Sequence, residues 1–575
     1  MVVKYVVSPH GRRGTYPTIT SALRAFSTLQ GVSRRPRSAV VEIVPGRYEE
    51  SLVARGDVRI VAAEGPGSVV VNLLRGTVLE TYGSVQVEGL VLTNRDVDYD
   101  AVACVQGTLT LDHVEVRTPG GAGAHARPNT HVTLRDSTFL HGRTLFTAAT
   151  GTVERCRFTD AADNAIAAIE GAQLSVRGSR IEGSRIHGIR VCDARAEVVG
   201  CELTGTGNAA LMADTRAELT VADCAITAVH AEGIMFIEQS RGSVDRTRVT
   251  DAAHGVCAAS GADPVVRDCV LTACRDTGIN VQTDARGRFE NCRVVDARNI
   301  GVFSTKGGAP EVTGCHVSGG NVGIAVAEGS RGRFARVQVE DLTNSALRVW
   351  DGSKGAFEHV RVDRCTLGLD TKGDGGTTAD LTDVVFRDVE TAVTALGQSR
   401  VTLRDVTAER AAVGFCGAEE AQVRAHDCTV TTVSVGGVVA SGKAKVFANN
   451  LTVRGSEGTG LSAAESGYLS VADSAFTDCA TAGAVFADES SGRLVDCSVN
   501  GTEGVAVLDN GRVEIISLRT SLKVLQKTVR TVEEKTTTVI NVDGLYVAGS
   551  VHNSQIAFNN DQVTQRQSNE DGRTT

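Results

Sequence analysis

Asp268-Cys269-Val270-Leu271 and Asp496-Cys497-Ser498-Val499 share a form: a turn residue, a small residue, any residue, then an apolar one. Aligned on this form, the small position recurs as a slot at Leu90, Val114, Ser137, Cys156, Ser179, Cys201, Cys224, Thr247, Cys269, Cys292, Cys315, Val337, Val360, Val384, Val406, Cys428, Leu451, Ser474 and Cys497. These are 18 steps over 407 residues, a mean of about 22.6, and all but one step of 19 lie between 22 and 24. A period of this kind marks a solenoid, in which each repeat buries its apolar face only against its neighbours.

Two residues past each slot stands an apolar side chain, among them Phe158, Ile181, Leu203, Val249, Leu271, Val294 and Val317. Positions i and i+2 share one face of a strand, so slot and slot+2 point inward and slot+1 outward. Arg157, Arg180, Arg248, Arg293 and Arg361 occupy the outward position. The residue before the slot is Asp, Asn or Gly in 14 of the 19 coils, types that enter the left-handed backbone region most cheaply, so a corner precedes each strand. A second ladder, through Ala165, Gly188, Ala210, Gly233, Gly255, Gly278 and Gly301 and on to Gly504, marks another corner and another strand. The expected fold is all-β: a single-stranded right-handed parallel β-helix of about 19 to 20 coils of 22 to 23 residues, with a short N-terminal capping helix. The expected organisation is an N-terminal cap over 1–37, the β-helix over 38–517, a linker or C-terminal cap over 518–545 and a polar Asn/Gln-rich tail over 546–575.

These repeats resemble the pectin-lyase-like superfamily over roughly residues 15 to 515. The opening Tyr16-Pro17-Thr18-Ile19-Thr20-Ser21-Ala22-Leu23, followed by Val44-Pro45-Gly46-Arg47-Tyr48-Glu49-Glu50, is similar to that of pectin methylesterases and their relatives. The resemblance implies a helix capping the barrel end and a Pro-Gly-x-Tyr-x-Glu turn beginning the first coil. The catalytic clusters of the family's esterases, polygalacturonases and pectate lyases have no counterpart here, so no catalytic residue, metal site or cofactor is assigned.

The Asp383, Asp405 and Asp427 column invites a carboxylate pair or a calcium site, but Asn and Gly alternate with Asp in it, as corner residues do. His187, His230 and His254 read as solvated turn residues, and the Cys ladder reads as small, weakly polar filling for a tight interior. The outward Arg row is the candidate surface for an acidic polymer such as a uronate glycan, although Glu115, Glu182, Glu202 and Glu340 lie near it. A net charge of -9 argues against duplex nucleic acid or an anionic membrane as the partner. The first residues lack the apolar core of a secretory signal, which points to a cytoplasmic protein whose 15 Cys are reduced thiols.

The tail around Asn553, Gln555, Ile556, Phe558 and Asn559 has the composition of cross-β stacking segments, and it resembles the short bacterial amyloid signalling motifs related to the RIP homotypic interaction motif. It is the candidate for homotypic association. The leading expectation is thus a non-catalytic scaffold or recognition protein that binds a glycan or a protein along the solenoid face. The alternative is a carbohydrate-active enzyme with its own site in the groove. An enzyme is expected to gather carboxylates, Arg and aromatic side chains over two to four adjacent coils.

Overall fold

The computed structural model describes residues 2–9, 14–32, 38–502, 504–510 and 512–526; the tail residues Asn553, Gln555, Ile556, Phe558 and Asn559 lie outside them. The chain divides into two compact units, Met1–Gln338 and Val339–Thr575. Each is a stack of parallel β-coils, and together they carry about 21 turns among the described residues.

The first unit begins with strand β1 (Val2–Val7), which pairs in parallel with Ser38–Ile43 from Val2↔Ser38 to Val7↔Ile43. The segment before the helix is therefore itself the first rung. Helix α1 (Ile19–Val32) lays Ile19, Ala22, Leu23 and Phe26 inward, with Phe26 edge-on to Tyr5 at 6.4 Å. Its N-terminus is closed twice. Thr18 Oγ1 accepts from Ser21 N at 3.1 Å, and Glu50, at the end of the Pro-Gly-x-Tyr-x-Glu turn, accepts from Ile19 N at 2.9 Å and Thr20 N at 2.8 Å. Tyr48 Oη donates to Val44 O at 2.8 Å and ties that turn down. The two opening motifs are thus one device, helix and first coil joined through Glu50.

Within each unit the rungs follow one another in parallel, in register but for shifts at Thr81/Tyr82, Ala122/Ala124 and Ala411/Val413. Gln173–Arg177 pairs with Arg195–Val199, which pairs with Glu218–Ala222 and then Arg241–Asp245, all in parallel. The interior Cys stack as immediate neighbours: Cys201 N donates to Cys224 Sγ at 3.4 Å, and Cys292 N to Cys315 Sγ at 3.3 Å. Ser fills the same post elsewhere, with Ser179 Oγ accepting from Cys156 N at 3.1 Å. The slot is small for packing, and polar because it satisfies the N–H of the slot one coil earlier. All fifteen Cys are free.

From Asp136 to Asp488 each coil has three left-handed corners. One is the expected column, with φ of 52° at Asp268, 51° at Asp383, 53° at Asp405 and 56° at Asp427. The other two carry residues of no fixed type, such as Ala273 (51°), Arg364 (55°), Glu238 (53°) and Lys306 (51°). Arg enters the corners beside an Asp one coil away in the same column: in the expected column Arg155 chelates Asp136 at 2.7 Å and Arg246 meets Asp223, and in another Arg410 meets Asp388. The glycine ladder differs from the expected corner. Gly233, Gly255, Gly278 and Gly301 have ordinary φ and lie within strands, but a Cβ on Gly255 would stand 2.6 Å from the Gly278 carbonyl oxygen. Glycine is required there by close approach between coils.

The strand that contains the glycine ladder has an outer face as well, with side chains alternating inward and outward along it.

Candidate functional site

The outer face of that strand runs along the first unit as a column of side chains in register: Val53, Glu80, Ala103, His125, Leu145, Ala167 and Arg190, each a rung further on. Beside it, two residues along each strand, runs a second column that includes Arg55, Tyr82, Arg127, Thr147, Ile169 and Cys192. Over the five rungs from Leu52–Ala62 to Arg143–Thr147, these columns gather two arginines, a tyrosine, a carboxylate, a histidine and a threonine, and a loop adds a second carboxylate.

Arg55 lies over the Tyr82 ring, its guanidinium carbon 4.2 Å from the centroid, and Tyr82 Oη donates to Glu80 Oε2 at 3.1 Å. Burial, and then the Glu80 carboxylate, push the Tyr82 phenol up from its ordinary range. Two rungs on, Asp100 enters from the loop before Val102–Asp112. Its Oδ2 accepts from His125 Nδ1 at 2.8 Å and from Arg127 Nη2 at 3.2 Å, and its Oδ1 accepts from Ala122 N at 3.3 Å. Burial opposes the charge of Asp100, yet the His125 hydrogen bond and the Arg127 guanidinium outweigh it and hold the carboxyl below its ordinary value. With Nδ1 donating to Asp100, His125 turns Nε2 to Thr147 Oγ1 at 3.1 Å. The His125 side chain is 10% exposed and that of Asp100 17%, while Thr147 is half-buried. Tyr99, next to Asp100 in the loop, is 53% exposed, and its carbonyl is held by Asn94 at 2.9 Å.

None of these seven residues was singled out from the sequence. The outward positions of the glycine-ladder strand carry the signal, but the ladder is regular only from Ala165 onward. The earlier rungs are obscured by the loop before Val102 and by shifts of register at Thr81/Tyr82 and Ala122/Ala124.

The five arginines expected at the outward slot+1 position are all exposed. Arg157, Arg180, Arg248 and Arg293 share one column of the first unit, and only Arg157 and Arg180 are immediate neighbours there. Glu202, Ala225 and Val270 interrupt the row. Glu182 takes both neighbouring arginines, Arg157 at 2.7 Å and Arg180 at 2.5 Å, and they hold its carboxyl below the ordinary value. Arg361 belongs to the second unit.

Of the histidines, His230 is exposed and His254 half-buried. His187 is buried, its Nδ1 3.3 Å from Ala209 O, and burial pushes its pKa down; it is not the solvated turn residue expected. The donor atoms of Asp112, His113 and Asp136 lie within 4.8 Å of one another. Arg155 already chelates Asp136, so a guanidinium serves as the cation of that cluster.

The family model of the right-handed β-helix region matches residues 100–215, 187–341, 260–375 and 367–517. No curated protein matches the chain. Among solved structures, the pectin methylesterase of Aspergillus niger is 12% identical, with 43% of this chain and 85% of that one covered and a TM-score of 0.29. The pectate lyase Pel9A is 13% identical, with 52% and 77% covered and a TM-score of 0.31. The N-terminal fragment of bacteriophage Phi29 gene product 12 is 10% identical, with 90% and 94% covered and a TM-score of 0.29. No helix among the described residues is long and apolar enough to cross a membrane.

Proposed function

Because the chain belongs to the right-handed β-helix region family, whose coils present side chains in long straight columns, we propose that it binds an extended anionic glycan along the outer face of the glycine-ladder strand. One observation carries this reading: five successive rungs gather Arg55 on Tyr82 and Arg127 on Asp100–His125. Coils repeat about every 4.8 Å, close to the length of one sugar ring in an extended chain. Successive sugars then meet successive rungs.

The arginines supply bidentate donors for carboxylates, and exposed Tyr99 offers a flat apolar surface to a sugar face. The exposed row from Arg157 to Arg293 is less suited to an acidic polymer, because Glu202, Ala225 and Val270 interrupt it and Glu182 takes its two adjacent members. Titration calorimetry with polygalacturonate and alginate tests the reading. Arg55→Ala and Arg127→Ala each weaken binding by about tenfold or more, roughly 1.4 kcal/mol. Wild-type protein that takes up neither polymer, or variants that bind as tightly as wild type, would remove it.

A further inference from the structure

Three side chains of this face form an array that glycan binding alone does not call for. His125 Nδ1 lies 2.8 Å from Asp100 Oδ2 and His125 Nε2 lies 3.1 Å from Thr147 Oγ1. These are the separations at which a carboxylate orients an imidazole and the imidazole takes a proton from a hydroxyl. The array stands on the outside of the coil, where water would satisfy each group at no cost, yet His125 and Asp100 are largely withdrawn from water. The coil interior is sealed without them. Thr147, the member a ligand must reach, remains half-exposed.

We infer that Asp100, His125 and Thr147 are an acyl-transfer site that removes short acyl esters from the glycan, the substrate class resting on the binding reading above. Thr147 Oγ1 attacks the acyl carbon while His125 Nε2 takes its proton, and the carbonyl electron pair moves onto oxygen. That pair returns as the C–O bond to the sugar breaks, and the departing sugar oxygen takes the proton from His125. Water then attacks the acyl-threonine in the same way, giving its proton through His125 and releasing the carboxylic acid with Thr147 restored. Asp100 positions the ring and stabilises its charged form between these steps. Arg127 and Thr147 follow the paired residues Ala126 and Phe146, and the Arg127 guanidinium, held to Asp100 at 3.2 Å, keeps further N–H groups that can serve a developing oxyanion. Ile169, in register with Thr147, and Leu145, two residues earlier on the same face, offer a small apolar seat for an acetyl methyl.

The test uses the full chain with 4-nitrophenyl acetate and O-acetylated polygalacturonate, reading acetate release, and with diethyl 4-nitrophenyl phosphate, reading the labelled residue by mass spectrometry. The expected result is acetate release and a phosphoryl label on Thr147. Thr147→Val and His125→Ala lose the label and about 100-fold or more of the rate, whereas Thr147→Ser keeps both. Wild-type protein with neither label nor acetate release, or a Thr147→Val variant as active as wild type, overturns the site. Binding of unesterified polygalacturonate without ester hydrolysis ends this inference and leaves the binding reading. Hydrolysis of 4-nitrophenyl acetate without polymer binding does the reverse.

Discussion

The backbone N–H of Cys201 points along the stack, and the thiol of Cys224 meets it; Ser179 does the same for Cys156. This explains why Cys, Ser and Thr share the slot with Val and Leu. A small side chain fits, and one with a lone pair also satisfies a buried donor. The cost of so many buried thiols appears at high pH. Burial pushes Cys156, Cys257 and Cys274 up to about 12, and Cys365, Cys416, Cys428 and Cys479 up to about 11, from an ordinary 9.0. Unfolded thiols ionise once the pH passes 9, while the folded ones keep their protons to 11 or 12. The folded state therefore binds more protons in that window, and stability falls as pH rises through it. Urea midpoints at pH 8 and pH 10.5 check this: the second is expected to be lower, and equal midpoints would contradict it.

At the scale of the strand and its corners, two kinds of tight position respond oppositely to one methyl group. Gly255 has no room for a Cβ, with the Gly278 carbonyl oxygen 2.6 Å and Leu271 Cδ1 3.1 Å from where it would stand. Gly255→Ala is expected to destabilise by about 1 to 3 kcal/mol. Ala273 is exposed at φ 51°, a corner that an L side chain enters at a cost. Ala273→Gly is expected to stabilise by about 0.5 to 1 kcal/mol, and urea denaturation of the two variants gives both signs. The same contrast shows what was legible in the sequence. The column before the slot announced one corner because Asp, Asn and Gly dominate it, although Arg155, Arg246 and Arg336 enter it too. The corner four residues past the slot is also rich in Asp and Gly, as at Asp251, Asp296, Asp341 and Asp388, with Ala, Arg and Thr among them; the third, with Glu238, Lys306 and Glu328, has no narrow set of types. The glycine ladder was visible as a period, but its cause, close approach of stacked backbones, is a contact between rungs. The outward face beside it was lost for the same reason, since Asp100, His125 and Thr147 are set side by side only by stacking.

Across the molecule, stability comes from each coil resting on the one before, so whole coils are interchangeable units and fractions of a coil are not. Deleting residues 247–268, one slot to the next, joins Arg246 to Cys269 and leaves every ladder in register. Deleting residues 247–257, half a coil, sets the strands that follow out of register with those of the coil before. Circular dichroism and size exclusion are expected to show a folded monomer for the first deletion and a loss of cooperative unfolding for the second. The net charge of -9 works at this scale too. On the proposed binding, it would repel an anionic polymer from most of the surface and leave Arg55 and Arg127, on the rungs from Leu52 to Thr147, to meet it, so added salt is expected to weaken the binding.

Hydroxyl-radical footprinting of the full chain with and without polygalacturonate, read by mass spectrometry, addresses that placement directly. Tyr82 and Tyr99 are expected to become several-fold less reactive when the polymer is bound. Bound polymer with both tyrosines as reactive as before, and protection falling on other coils, would contradict the account.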